Sequence, residues 1–292
     1  MHLHLVAANI WRYKQGQNAE GLLRKIVNDQ LVLVSTGAGD WISSNGKMEK
    51  TEGGYFVTAK KHFASQSPVG DILVTSARYQ DPDKGALVLH FPIPFTAQGI
   101  TVKDDWDTLG MRGTGSHTVE LNRVFVPDAA VSLMRPQGGF HPVWNTVLTV
   151  AMPLIMSAYV GIAEKAVQLS ISQAKQSPHL TYVLGEMQNQ LTIARVLWKD
   201  MVRLTNNYDF QPINTMSNEI LIRKTLVANA CIETVNKAME VVGGRSFFRK
   251  MELERLFRDV QGAPYHPHSE KTQHAMTGHF MLHGSFPVDV SE

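Results

Sequence analysis

The sequence predicts an α+β protein in which a run of short β-strands is followed by a set of long helices. Three observations predict it. Between residues 30 and 133, β-rich runs alternate with Gly-, Asn-, Asp- and Pro-containing breaks, and no helix-length pattern interrupts them. From about 141 the apolar period changes to 3.6. Ahead of both, residues 1–29 carry two short helical patterns. The chain is therefore read as three segments, 1–29, 30–133 and 134–292.

The first helical pattern runs from His4 to Trp11, and the second, opened by Asn18, carries Leu22, Leu23, Ile26 and Val27 on one face. Two helices this short bury little surface alone and should lean on something else. The strand runs are LVLVST, GYFVTAKKHF, GDILVTSARY, GALVLHFPI, GITVKDDW and HTVELNRVFVP, separated by SSNGK, EGG, QDPDKG and PFTAQG. Such spacing fits an antiparallel barrel or sandwich of about 100 residues. Helical patterns then cover 143–176, 182–210 and 216–242, broken by Ser-Pro-His at 177–179, FQPIN at 210–214 and Gly-Gly at 243–244. In the second, Leu184, Met187, Leu191, Ala194, Leu197 and Met201 form one apolar stripe. Shorter helices are expected over 252–260 and from about 270, which makes a helical bundle.

Composition excludes several classes. Net charge is +2 with acids interspersed among the basic residues, so nothing indicates nucleic acid. The single cysteine, Cys231, excludes a disulfide framework and a Cys-rich zinc site, and fits a reducing, cytoplasmic setting. No apolar run reads as long enough to span a bilayer, and the N-terminus reads as a helix without a basic leader. A metal site at His266 and His268 is read against, because no third ligand is placed beside them.

Four stretches carry candidate chemistry. VSTGAGDW (34–41) ends a strand with two hydroxyls and small residues, which suits either a plain turn or close approach of backbone to a flat ligand. In AKKHFASQS (59–67), Phe63 and Ser65 lie two apart on one strand face. They form either a cross-strand aromatic pair with a surface hydroxyl or a platform for a heteroaromatic ring. WDTLGMRGTGSHTVELNRVFVP has glycines at 110, 113 and 115 that suit a bend. VVGGRSFF (241–248) reads as a helix C-cap. A fifth, RDVQGAPYHPHSEK (258–271), packs ionisable groups and prolines into one turn, either a helix connector or a place where a proton moves.

In this order, these segments resemble the acyl-CoA dehydrogenase family of flavoproteins over about residues 3 to 280. VSTGAGD resembles a contracted form of the first β-domain signature. GYFVTAKKHFAS resembles the Gly-to-Thr strand segment, with Lys61 on its Lys, Phe63 on its Trp and Ser65 on its Thr. AMEVVGGRSF resembles the Gly-Gly segment, and LFRDVQGAPYHPHSE the closing turn. The resemblance implies a central antiparallel β-barrel, a C-terminal four-helix bundle, bound FAD and a homodimer or homotetramer acting on a small-molecule substrate. It places Ser35, Thr36, Phe63, Ala64, Ser65, His268 and Glu270 at the cofactor, and Gly243 and Gly244 at a neighbouring subunit's FAD. The family's commonest base, a Glu, falls on His266, which becomes the expected catalytic residue. The thioester-side Asp and Arg fall on Thr149 and Met152. Residues 1–29 supply only two helices of the family's N-terminal helical domain, so the chain reads as N-terminally shortened. The activity implied is acyl-thioester dehydrogenation. A reduced-flavin monooxygenase of the same superfamily, and a non-catalytic subunit acting with a partner, are the alternatives.

Overall fold

The computed structural model describes residues 1–37, 40, 42–174 and 180–287. Residues 38, 39 and 41 of the VSTGAGDW stretch and the expected break at 177–179 lie outside the described residues. The chain divides into two compact units: residues 1–107, 113–144 and 285–292 form one, and 108–112 and 145–284 the other.

The first unit opens with helices α1 (His2–Lys14) and α2 (Glu20–Asn28). α1 buries His4, Ala7 and Trp11, a spacing of one helical face. It is tied to the sheet where the Leu33 N–H donates to His2 Nδ1 at 3.1 Å. On α2 only Ile26 is buried, and Leu22 and Val27 of the expected apolar face are exposed.

The strands are β1 (Leu33–Val34), β2 (Lys47–Thr51), β3 (Gly54–Lys61), β4 (Ile72–Asp81), β5 (Gly85–Pro94), β6 (Ile100–Val102), β7 (Val119–Pro127) and β8 (Leu133–Pro136). They pair in the order β6-β7-β3-β2-β4-β5-β8, with β1 on β4. This path is open, and it is mixed: β1–β4 and β2–β4 are parallel, the other pairs antiparallel. The α+β expectation holds, whereas a purely antiparallel sheet does not, because β4 takes both β1 and β2 as parallel neighbours. The β4–β5 hairpin closes where the Asp81 carboxylate accepts from the backbones of Asp83 (3.0 Å) and Lys84 (2.9 Å), as the QDPDKG break suggests. The core includes Val34, Val57, Leu73, Leu89, Phe91, Val119, Leu121 and Val124, in which Leu89 and Phe91, and Val119 and Leu121, are alternate residues of their strands.

The second unit contains α3 (Val143–Gln173, whose first two residues belong to the first unit), α4 (Leu180–Leu204), α5 (Asn214–Val242), α6 (Glu252–Val260) and α7 (Glu270–His283). On α4 the expected stripe faces inward, with Met187, Leu191, Ala194 and Met201 buried. α4 stops at Leu204 and not near 210, because Asn206, Asn207 and Tyr208 take φ of 43°, 52° and 61°, which no right-handed helix accommodates. α3 corrects the expectation about apolar runs. It is long and apolar enough to cross a membrane, with mean hydropathy 1.8 over 18 residues, yet 61% of that window is buried inside the protein, as in a core helix.

Candidate functional site

In the first unit, candidate residues gather at the ends of β1 and β3. Inward parity along β3 buries Val57 and Ala59 and then carries Lys61 into the interior. A buried ammonium needs a counter-charge, and Asp40 supplies it at 2.6 Å, with the two side chains 0% and 4% exposed. Lys61 also donates to the carbonyls of Ser76 (2.5 Å) and Asn45 (3.1 Å). Burial still pulls the Lys61 pKa below its usual value, with Asp40 opposing. Thr36 and Thr75 donate to the second Asp40 oxygen at 2.6 and 3.0 Å. The Thr36 hydroxyl is thus committed to Asp40, while Ser35 is buried beside it in sequence.

Past Lys61 the chain turns sharply. Phe63 has φ 55° and is 59% exposed, and its ring meets Trp106 edge-on at 6.0 Å. Gly37 backs this ring closely: a Cβ there would stand 2.9 Å from Phe63 Cδ2, so only glycine fits without a shift. Ala64 is fully buried and its N–H donates to His117 O at 3.2 Å. The Ser65 and Ser116 hydroxyls lie 2.7 Å apart, and Ser116 reaches Thr114 Oγ1 at 2.7 Å. The outcome is a presented aromatic face beside a chain of three hydroxyls.

In the second unit the turn between α6 and α7 holds the rest. His266 Nε2 and the Tyr159 hydroxyl are 2.6 Å apart, and the rings are 5.3 Å apart. Burial, then the nearby Lys224, lower the His266 pKa to about 4. Burial, then Asp259, push the Tyr159 phenol above its usual value, so both groups are neutral at pH 7. Lys224 is buried and donates to the carbonyls of His268 (2.8 Å) and Pro264 (3.3 Å). His268 is buried, with its pKa lowered to about 4 by burial and Lys224. Glu270 sits in the first turn of α7, behind the Ser269 cap, and accepts from Asn229 at 2.9 Å and Lys271 at 3.1 Å.

The segment Thr108–Arg112 belongs to this unit and is clasped to α6. The Met111 N–H donates to Asp259 Oδ1 at 2.6 Å, and Arg258 donates to Leu109 O at 2.9 Å. Gly262 leaves room for the phenol: a Cβ there would stand 2.8 Å from the Tyr159 oxygen. Gly243 caps α5 with φ 68°, and neither it nor Gly244 has an atom of the chain within 4 Å of an added Cβ. Thr149 and Met152 are both fully buried on α3, and Thr149 donates to Asn145 O at 2.7 Å. No cluster of three metal-ligating side chains occurs among the described residues.

Sequence reasoning missed Asp40, Trp106, Tyr159 and Lys224. Asp40 had a signal, since a lysine on the inward parity of a strand demands a carboxylate. Tyr159 had none, because it sits in an apolar helical run 107 residues from its partner.

The chain is similar to several known proteins. The model of the acyl-CoA dehydrogenase C-terminal domain matches residues 154–270. The Bacillus subtilis (strain 168) protein YdbM, which carries an acyl-CoA dehydrogenase name, is 28% identical over 233 residues, covering 75% of this chain and 58% of its own. Dibenzothiophene monooxygenase of Mycolicibacterium goodii is 26% identical over 273 residues, covering 81% of this chain and 63% of its own. The chain thus spans about six tenths of the length of these curated relatives. Among solved structures, KijD3 in complex with FMN and a dTDP-sugar superposes with a TM-score of 0.84 at 22% identity, over 99% of this chain and 75% of that one. The chain thus resembles the acyl-CoA dehydrogenase family, whose C-terminal domain model it matches over residues 154–270.

Proposed function

We propose that this chain is a flavin-dependent oxidoreductase whose reaction is oxygen insertion with reduced flavin. The observation that carries the reading is the neutral His266–Tyr159 pair. Dehydrogenation of an acyl thioester requires a base able to take a proton from the carbon beside the carbonyl. In the resemblance that base is a carboxylate at the position of His266. Here the position holds an imidazole whose conjugate acid is lowered to about 4, a weak base. The next carboxylate along the turn, Glu270, is engaged by Asn229 and Lys271. Thr149 and Met152 are buried without charge, so these positions offer no charged clamp for a thioester. Similarity to dibenzothiophene monooxygenases supports the same reading.

The residues present fit a flavin. The exposed Phe63 ring, backed by Gly37, offers a flat face to a planar heterocycle, and Ser65 adds a hydroxyl beside it. Ser35, Thr36 and Ala64 complete the strand-end backbone around it. A bound flavin would supply two-electron chemistry and, once reduced, reaction with oxygen. His266 then serves to hold a hydrogen bond where charge develops. FAD follows from the resemblance; FMN is the flavin in the KijD3 complex. The same reading includes a four-helix bundle, a cytoplasmic homodimer or homotetramer, and Gly243–Gly244 reaching the partner's flavin. The exposed Phe247 and Phe248 beside those glycines support that last point.

Acyl-thioester dehydrogenation is the second reading, favoured by the likeness to YdbM. The deciding experiment titrates the full chain with FMN and FAD by fluorescence, then supplies reduced flavin from an added reductase, oxygen and dibenzothiophene. A product heavier by one oxygen atom, lost in His266→Ala, is expected, and Phe63→Ala is expected to weaken flavin binding by roughly tenfold. Anaerobic bleaching by an acyl-CoA would instead establish the dehydrogenase, and absence of any flavin binding the non-catalytic subunit.

A further inference from the structure

We infer that Tyr159 fixes the tautomer of His266, so that the imidazole presents Nδ1–H, a hydrogen-bond donor, on the ring edge away from the phenol. The role this gives Tyr159 in turnover, that of a positioning residue, rests on the monooxygenase reading above; the tautomer itself does not.

The argument begins from the 2.6 Å separation of the Tyr159 oxygen and His266 Nε2. Two proton placements satisfy it. In one, the phenol donates to Nε2 and the imidazole proton sits on Nδ1. In the other, Nε2–H donates to the phenol oxygen, and the phenol proton needs a further acceptor. His266 is the only hydrogen-bond partner of that phenol among the described residues. Gly262, the Met111 side chain and the Asp259 carbonyl all lie beside this position, and that carbonyl accepts from the Gly262 N–H at 3.2 Å while making no hydrogen bond with the phenol among the described residues. The second placement therefore leaves a largely buried O–H without an acceptor, which is unfavourable. The first leaves nothing unsatisfied on the phenol, and Nδ1–H faces elsewhere.

Ionisation does not offer a third way out. Burial, then the ammonium of Lys224 from α5, disfavours an imidazolium, and burial, then Asp259 from α6, disfavours a phenolate. His268, in the same turn, is itself buried and neutral. The geometry is locked from outside the pair. Asp259 holds the Met111 N–H, and the absence of a side chain at Gly262, between Met111 and the phenol, leaves the phenol the room it occupies. Tyr159 stands to His266 as an orienting partner stands to a catalytic imidazole elsewhere: it selects which nitrogen carries the proton. A donor so fixed can stabilise charge growing on an oxygen. It cannot accept a proton through Nδ1, which separates this role from that of a base.

The test uses the full chain labelled with 15N-histidine. Long-range proton–nitrogen spectra report which ring nitrogen is protonated, and the His266 signals are those lost in His266→Ala. The wild-type chain is expected to show Nδ1–H. Tyr159→Phe removes the phenol and is expected to return His266 to the Nε2–H form that free imidazoles favour in water. Gly262→Ala, which displaces the phenol without removing it, is expected to shift the tautomer in the same direction. In reduced-flavin turnover of dibenzothiophene, Tyr159→Phe is expected to lower kcat by about tenfold or more while leaving FMN affinity unchanged. Nε2–H in the wild type, or Nδ1–H persisting in both variants, overturns the inference. A tautomer change of the expected kind in a chain that inserts no oxygen upholds it and removes the monooxygenase reading instead.

Discussion

Lys61 faces inward because strand parity gives it no alternative: it follows Val57 and Ala59 on the buried side of β3. Its charge survives there through Asp40 at 2.6 Å and two carbonyls. Such a pair is weak evidence of net stability, but breaking it from one side strands the other charge. Lys61→Met is therefore expected to cost about 3–5 kcal/mol in urea unfolding. Adding Asp40→Asn, which removes the orphaned charge while keeping an acceptor for Thr36 and Thr75, is expected to restore part of that loss. A single variant as stable as the parent would show that the pair carries nothing. The exposed pair Arg24–Glu20, at 2.7 Å on α2, is the contrast: deleting it should change stability by only about 0.3–0.5 kcal/mol. Parity made the inward lysine legible in the sequence. Its partner lies 21 residues away, at a position that no periodicity announces.

At the scale of elements, the glycines of the 108–116 segment separate two physical roles that the sequence shows as one. An added Cβ at Gly110 would overlap the Arg258 carbonyl oxygen, where the segment docks on α6, whereas Gly113 has nothing within 4 Å and an ordinary φ. At Gly115 an added Cβ would meet Pro68 at an ordinary 3.4 Å, but φ is 49°. Gly110→Ala is thus expected to destabilise by about 1–3 kcal/mol through overpacking. Gly113→Ala should be neutral or stabilise by up to about 1 kcal/mol through the unfolded chain. Thermal melts of the two variants check this, and equal effects would mean that the segment is not docked as described. The bend was readable from composition; the docking was not, because it depends on an α6 backbone 148 residues away. Helix boundaries show the same division. The apolar stripe of α4 was fully readable, whereas its end at Leu204 required left-handed backbone at Asn206, Asn207 and Tyr208, and only the two asparagines hint at that.

Across the whole molecule, four histidines, two buried (His4, His268) and two half-buried (His90, His266), are held as neutral rings, and together they set how the protein answers acid. Burial lowers His4 and His90 to about 3 and His266 and His268 to about 4. For His90 the Arg135 guanidinium adds to burial, its Nε donating to the ring's Nε2 at 3.1 Å, and for His266 and His268 Lys224 does the same. No motif marks these rings as a class. Their burial follows from which helical face or strand side they occupy, which sequence gives, and from the cations beside them, which it does not. Each folded-state value lies below that of an exposed histidine, about 6.5. Between pH 6.5 and 4 the unfolded chain therefore binds more protons than the folded one, and stability rises with pH over that window. The stabilisation is complete above pH 6.5 and is lost as pH falls toward 4. For His268 alone the loss at the acid end is about 3 kcal/mol. Urea midpoints measured at pH 7.5, 6 and 5 are expected to fall steadily, beginning well above the range where carboxylates titrate. His268→Gln should flatten the slope, because an amide carries no proton to be gained on unfolding. A midpoint that stays level down to pH 5 would mean that these rings are solvated and charged, and the neutral His266–Tyr159 pair would lose its footing with them.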